Sequence, residues 1–215
     1  MIRLSKAVAI AAALSLGSIG SAMADPASFN FDSLDPTVTG NIVSTPFSLS
    51  SGGVTASFSS DQDPGGFQVL NLTGGLSFAD DVLVTPNTSG TGPLLEIVFS
   101  QPLLSFTAEF ATEGSGPLTL TALNGGVGGT QVGSSSATGS VPDGFMFPEG
   151  TVSFSGATFD SLVLSDANDP GFALGNFSVD TAPVTSVPEP SSFALALEAA
   201  LGLIGLTLAR RFRKN

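Results

Sequence analysis

The chain has 215 residues with 18 acidic and 6 basic side chains, and it contains no His, Cys, Trp or Tyr. All six Lys and Arg residues lie within the first six or the last six positions, whereas 17 of the 18 acids lie between positions 25 and 192. A segment that acidic and without a cation cannot neutralise phosphates, which excludes nucleic-acid binding. The segment also has no base for a Ser–His–Asp triad, no thiolate and no Schiff-base amine, so only carboxylate chemistry remains and we do not expect an enzyme.

Residues 1–24 have the three regions of a secretory signal peptide. Two basic residues precede an apolar core at 7–16, and Ala22-Met23-Ala24 forms an A-x-A cleavage site. The sequence therefore predicts export by the secretion machinery and cleavage by signal peptidase, with Asp25 as the first residue of the mature chain.

Residues 25–180 alternate apolar and polar side chains with a period of two, which is typical of strands. Phe29 with Phe31, and Leu104 with Phe106, are examples of this alternation, and no sustained helical period occurs. Gly- and Pro-rich turns such as Asn124-Gly125-Gly126 separate about ten short strands. The sequence predicts an all-β domain, an antiparallel β-sandwich of jelly-roll type.

Two local features are also predicted within this domain. Phe172 and Leu174 alternate out of phase with Phe177 and Val179, which predicts a bulge near Gly175. The run of small polar residues at 134–140 predicts a mobile loop.

Three groups of oxygen-bearing side chains are candidate Ca²⁺ ligands, since Ca²⁺ takes six to eight carboxylates, carbonyls and waters in loops. The groups are Asp61 with Asp63, Asp80 with Asp81, and Asp166 with Asn168 and Asp169. The third begins as D-x-N, but Pro170 stands where a further ligand is expected. The alternative is a solvated acidic surface that keeps an exported protein soluble.

Three aromatic residues beside turns are candidates for a ligand platform: Phe67, Phe145 and Phe147. The alternative is that they fasten loops onto the core. The absence of Trp and Tyr argues against strong stacking on sugars.

The end of the chain has three successive parts. Residues 181–192 form a linker rich in Pro and Ser, and residues 193–209 are mostly apolar. A helix of that length spans about 25 Å, slightly less than the roughly 30 Å of a bilayer core, and Glu198 is an acid within it. The tail 210–215 follows, with Arg210, Arg211, Arg213 and Lys214. We predict a single transmembrane helix with this basic tail in the cytoplasm.

Val187-Pro188-Glu189-Pro190, the apolar span and the basic end, in this order, resemble the PEP-CTERM sorting signal. The resemblance implies recognition and processing by exosortase, a membrane transpeptidase of bacteria that export polysaccharide. Residues 150–164 and 172–177 also resemble lectin-like ectodomains that precede this signal. The alternative for the C-terminal region is an ordinary membrane anchor after a Pro-rich linker.

We therefore expect a protein of the cell envelope, surface or exopolysaccharide matrix, anchored in the inner membrane until it is processed, with a structural or adhesive role. The alternative function is a carbohydrate-binding module with Ca²⁺ as its candidate cofactor. A carboxylate-only hydrolase is a third class, which requires a pair of acids.

Overall fold

The computed structural model describes residues 26–85, 92–166 and 171–182. These residues form ten strands: β1 Ala27–Phe29, β2 Phe47–Ser51, β3 Val54–Ser60, β4 Gln68–Asn71, β5 Asp81–Val84, β6 Leu95–Thr112, β7 Pro117–Asn124, β8 Thr130–Thr138, β9 Glu149–Asp166 and β10 Phe172–Thr181. A 3₁₀ turn, Asp32–Leu34, and a four-residue helix, α1 Pro36–Thr39, lie between β1 and β2. The domain is all-β, as the alternation predicts.

Contacts divide the chain into a unit of residues 1–182 and a second unit of residues 183–215. The second unit lies outside the described residues, and so do the predicted sorting motif, span and basic tail, as well as the predicted cleavage site. In the part of the chain that is described, no helix has the length and apolar character needed to cross a bilayer.

All strand pairs are antiparallel, and β6 and β9 connect the two halves of the sheet. Residues 95–99 of β6 pair with β3, and residues 95–98 also pair with the end of β9. After a register shift, residues 103–112 of β6 pair with β10 and with the start of β9. One half of the sheet is therefore ordered β2-β3-β6-β9-β7-β8, and the other β4-β5-β10-β6-β9, with β1 beside the second half of β10.

The two halves pack face to face around a core rich in phenylalanine. Phe58 of β3 and Phe177 of β10 come from opposite halves, and their ring centroids lie 6.0 Å apart. Alternate residues of each strand point inward, for example Val54, Ala56 and Phe58 in β3, all of which are buried. The domain is therefore an antiparallel β-sandwich, and the jelly-roll topology stays a prediction.

The prediction of a mobile loop at 134–140 is wrong for most of that segment. Residues 130–138 form β8, which pairs with β7 in a register that sets Leu118 opposite Ala137 and Ala122 opposite Gly133. Gly133 lies against the ring of Phe154, where a Cβ would overlap the ring. Because β8 is the last strand of its half-sheet, it needs few apolar side chains. Its composition therefore lacks the apolar alternation from which a strand is predicted.

The predicted bulge at Gly175 is confirmed. Leu174 pairs with Phe110 and Phe177 pairs with Ala108, so β10 has one residue more than β6 across this interval. Gly175 is buried beneath Phe78, and a Cβ at this position would overlap the Phe78 ring. The close approach of that ring requires glycine here, and the bulge turns Asn176 outward.

Candidate binding groove

A groove of about 400 Å³ opens on the outer face of the sandwich, where β1, β10 and β6 lie side by side. We call it the β1–β10 groove. It is lined by Ser28, Phe29, Asn30, Thr107, Ala108, Glu109, Asn176, Phe177 and Ser178. Strands position all three sides, so the groove is built on the rigid part of the domain.

Strand register aligns hydroxyl groups across the groove. Ser28 of β1 is opposite Ser178 of β10, and Ser178 is in turn opposite Thr107 of β6. The residues that alternate with them, Phe29 and Phe177, are buried in the core. The alternation that builds the core therefore also produces a row of three hydroxyl groups on the opposite face.

Two amide side chains add further donors and acceptors. Asn176 lies at the bulge, between the part of β10 that pairs with β5 and the part that pairs with β1, and it is exposed. Asn30 follows β1, and its Nδ2 donates to Oδ2 of Asp32 at 3.0 Å. One amide is thus placed by a bulge and the other is oriented by a neighbouring carboxylate.

Glu109 is the charged residue of the groove. Its side chain is half-buried and stands opposite Thr151 in the β6–β9 register. Burial raises the pKa of Glu109, and the nearby charge of Glu149 raises it further, with no hydrogen bond from the described residues acting in the opposite direction. The groove therefore contains a carboxylate that the surrounding protein stabilises poorly.

Glu149 has a different role, since it fastens the β4–β5 loop, residues 72–80, onto the same face. Its Oε1 and Oε2 accept from the backbone N–H of Ser77 at 3.0 and 3.1 Å, and the Ser77 hydroxyl also donates to it. Glu149 is only 8% exposed. Leu76 and Phe78 of the loop pack with Ala111 and Ala173. The loop therefore covers the outer face next to the groove.

The predicted pair Asp80 and Asp81 consists of one exposed and one buried side chain. Asp81 is buried, and its Oδ1 accepts from Nδ2 of Asn71 at 3.0 Å. Burial raises the pKa of Asp81, the Asn71 bond lowers it, and the charge of Asp35 raises it again. Asp80, the loop residue directly before Asp81, is exposed.

Asp35, which sequence reasoning did not single out, lies beside this pair. It caps α1, accepting from the Thr37 backbone N–H at 2.7 Å and from the Thr37 hydroxyl at 2.6 Å. These two bonds hold the pKa of Asp35 below its ordinary value. The Nδ2 of Asn71 donates to Asp35 at 3.4 Å as well as to Asp81. Asn71 therefore links the helix cap to β5.

The acids at Asp61 and Asp63 accept hydrogen bonds from protein groups. Asp63 accepts from the hydroxyl of Thr45 at 2.5 Å and from the backbone N–H of Ser60 at 2.9 Å, and Asp61 accepts from the backbone N–H of Leu94 at 2.8 Å. Both side chains therefore fix loop geometry.

The third predicted group is described only in part. Asp166 is buried at the end of β9, whereas Asn168 and Asp169 lie outside the described residues. Within the described residues, no cluster of three or more His, Cys, Asp or Glu side chains could hold a metal ion. Calcium binding stays a prediction.

The aromatic platform needs a correction at Phe67. That side chain is 0% exposed, and its ring centroid lies 5.2 Å from that of Phe172 in the core, so it cannot meet a ligand. Phe145 and Phe147 are half-buried, and Phe147 packs beside the β4–β5 loop cluster. Met146 between them is 83% exposed. The role of these two rings as a platform stays a prediction.

No family model matches the chain, and no curated protein matches it. Among solved structures, the chain is similar to a family 6 carbohydrate-binding module, with 15% identity, coverage of 66% of this chain and 94% of that chain, and a TM-score of 0.38. It is also similar to a family 29 carbohydrate-binding module, with 10% identity, coverage of 70% and 97%, and a TM-score of 0.38. A third structure is the catalytic domain of a GH87 α-1,3-glucanase, with 11% identity, coverage of 52% and 24%, and a TM-score of 0.32. With TM-scores below 0.5, these likenesses do not identify a ligand for this chain.

Proposed function

We propose that the protein is an exported, non-catalytic surface protein whose β-sandwich binds polysaccharide in the β1–β10 groove. The observation that carries this proposal is the lining of the groove, in which hydroxyl, amide and carboxylate groups converge on three paired strands. Polysaccharides present dense arrays of hydroxyl groups, and each can donate and accept a hydrogen bond. The groove offers partners of both kinds.

The expected binding is weak at a single site. Phe29 and Phe177 at the groove are buried in the core, so neither ring is available to stack on a sugar. Hydrogen bonds exchanged with water contribute only about 0.5–1.5 kcal/mol each. Many copies displayed on one surface would raise the avidity without any new contact.

The proposed route to the surface rests on the two ends of the chain. The signal peptide would export the domain, and the C-terminal span would hold it in the inner membrane until exosortase acts near Pro188-Glu189-Pro190. Replacing these three residues with Ala leaves the span and its basic flank unchanged, so we expect full-length protein to accumulate in the membrane. Release of the mutant at the normal mass would instead support an ordinary anchor.

A glycan array probed with the mature exported protein tests the binding proposal. We expect selective signals that Ser28→Ala combined with Ser178→Ala weakens, because both hydroxyls line the groove. Ser48→Ala is a matched control, since its hydroxyl lies on β2 and contacts Ser57. An array without selective signal would favour a purely structural or adhesive role.

Calcium dependence is tested on the same array with and without EDTA. Loss of signal in EDTA would support the candidate Ca²⁺ sites in the loops. Release of reducing sugar from the bound polysaccharide would contradict the non-catalytic proposal and favour a carboxylate hydrolase.

A further inference from the structure

We propose that the β1–β10 groove selects a glycan that carries free amino groups, with the ammonium of an unacetylated amino sugar paired to the carboxylate of Glu109. This inference rests on the proposed function, since it names the class of polysaccharide that the groove takes.

The first argument is the position of Glu109 within the groove. Glu109 is one of the residues that line the groove, together with serine, threonine and asparagine residues, and it is half-buried there. The described residues do not provide it with a hydrogen bond that stabilises its charge, and its pKa is raised by burial and by Glu149. A half-buried charge of this kind gains most from a partner that carries the opposite charge.

The second argument is that no cationic side chain of the domain is available to Glu109. Between positions 25 and 192 the sequence contains no Lys, Arg or His. Glu149 is the acid whose charge raises the pKa of Glu109. It cannot compensate the charge of Glu109, and its own oxygens already accept from Ser77. Apart from the α-amino group that cleavage before Asp25 would create, which lies outside the described residues, a positive charge can come only from the ligand or from solvent.

The third argument distinguishes among glycans. A uronic acid polymer would bring carboxylates toward Glu109 and toward a domain with sixteen acids, so it is repelled. A neutral glycan can donate hydroxyl hydrogen bonds to Glu109 but leaves its charge uncompensated. An ammonium group supplies both donors and charge, and Asn176 and Ser178 can accept or donate to the hydroxyls beside it.

The test compares oligosaccharides of glucosamine with their N-acetylated counterparts of the same length, using the mature exported protein and isothermal titration calorimetry at constant ionic strength. We expect the amine form to bind at least about tenfold more tightly, which corresponds to about 1.4 kcal/mol. Glu109→Gln keeps the size of the side chain and should reduce this preference to near unity. Its melting temperature should not fall, because the variant removes a poorly stabilised charge.

Asp180→Asn is the matched control, since it removes the same charge from the same sheet. Asp180 is exposed, lies outside the groove lining, and accepts from the Ser105 hydroxyl at 2.6 Å, which an Asn oxygen can also do. The control should keep the full preference for the amine form. An equal loss in both variants would mean that overall charge, and not Glu109, attracts the amine, and would overturn the inference.

The remaining outcomes separate this inference from the proposed function. If neither oligosaccharide binds and the glycan array is also silent, the proposed function fails and the inference fails with it. If both forms bind equally and Glu109→Gln changes neither, glycan binding stands and the amine preference is overturned. Binding that EDTA abolishes in the unaltered protein but not in Glu109→Gln would replace the ammonium with a divalent cation at Glu109 and would also overturn the inference, whereas loss in both proteins would point to the loop sites.

Discussion

The ring of Phe29 lies parallel to the ring of Phe177, with centroids 4.6 Å apart and an angle of 5° between the planes. Strand β1 has only three residues, of which Ala27 and Phe29 are buried, so this stack adds a side-chain attachment to the backbone pairing of β1 with β10. Ser28 and Ser178, which line the groove, are the chain neighbours of the stacked pair. The stack therefore holds one side of the groove in place.

Phe29→Ala should destabilise the domain by about 3–5 kcal/mol, the usual cost of removing a buried phenylalanine ring. Because β1 would separate from β10, we also expect loss of glycan binding. Urea denaturation measures the first effect and calorimetry the second. Phe145→Ala is the control, since Phe145 is half-buried in a loop and should cost much less. Equal stability losses in the two variants would show that β1 is not held in this way.

Gly175→Ala should destabilise the domain by about 1–3 kcal/mol, as is typical of an inserted methyl group in a packed region. The added Cβ would overlap the ring of Phe78, which must move away from the bulge. In a Phe78→Ala background the same substitution should cost less, because the obstructing ring is gone. A double-mutant cycle measures this coupling. Additive effects would show that the ring does not set the requirement for glycine.

Glu149→Gln should loosen the β4–β5 loop, since the charged acceptor of the Ser77 N–H and hydroxyl is replaced by a neutral amide. Hydrogen exchange at the Ser77 amide should therefore accelerate. The same variant should lower the pKa of Glu109, because it removes the charge that helps to raise it. NMR titration of the Glu109 carboxyl measures that shift. Ser77→Ala should loosen the loop and leave the charge of Glu149, so it separates the two effects.

Asp160 shows how a carboxylate can be stabilised without any cation. Its oxygens accept from the backbone N–H of Gly125 at 2.9 and 3.1 Å and from that of Gly126 at 3.0 Å. Burial alone would raise the pKa of Asp160, but the N–H groups of Gly126 and Gly125, together with the Ser161 hydroxyl and the backbone N–H of Asp160 itself, outweigh burial and lower it. Both glycines have positive φ, which lets the turn present two adjacent N–H groups to one side chain.

Stability should pass through a maximum as the pH falls from 7. The raised pKa values of Asp81 and Glu109 mean that their ionised forms are disfavoured by folding, a cost that is present above the folded pKa and disappears on protonation. The lowered pKa values of Asp35 and Asp160 mean that folding favours their ionised forms. The stability that this adds is lost as the pH falls through the folded pKa. The free energy of unfolding should therefore rise with mild acid and decline below about pH 4.

Urea denaturation between pH 7 and pH 2 measures this profile. Asp160→Asn should flatten its acidic side, because the amide does not titrate. Glu109→Gln should instead flatten the rise between neutral and mildly acidic pH. A stability that falls steadily from pH 7 would contradict the expected maximum.

The sequence predicts the strands and the bulge well because both depend on neighbours in the chain. The phase change between Leu174 and Phe177 is visible in ten residues, and the structure confirms it. Strand β8 could not be predicted, because its small polar residues form a strand only by pairing with β7. That pairing leaves no pattern in the sequence of β8 itself. Phe67 looks accessible beside a Gly-Gly turn, yet the fold places it in the core.

The groove could not be predicted from sequence, for a similar reason. Ser28, Glu109 and Asn176 are far apart in the chain, and only strand pairing brings them together. Glu109 carries only a weak signal, since it is one of two acids in β6, the other being Glu96, and both alternate with apolar residues. Acids that are close in sequence are the more obvious candidates for a shared metal site, but Asp61 and Asp63 accept hydrogen bonds from backbone and hydroxyl donors of nearby loops.

The position of the groove on β10 has a mechanical consequence. Ser178 lines the groove, and the chain leaves the strand at Thr181, only three residues later. The Ser105 hydroxyl donates to Asp180 at 2.6 Å, and the Ala182 N–H donates to the Pro102 carbonyl at 3.0 Å, so this exit is tied to the adjacent strand β6. Tension between a ligand in the groove and a surface attached beyond Thr181 would pass through β10 and through the parts of β6 and β1 that line the groove with it. The strands farther from the groove would carry little load, so a domain of modest thermodynamic stability could hold a polymer under flow.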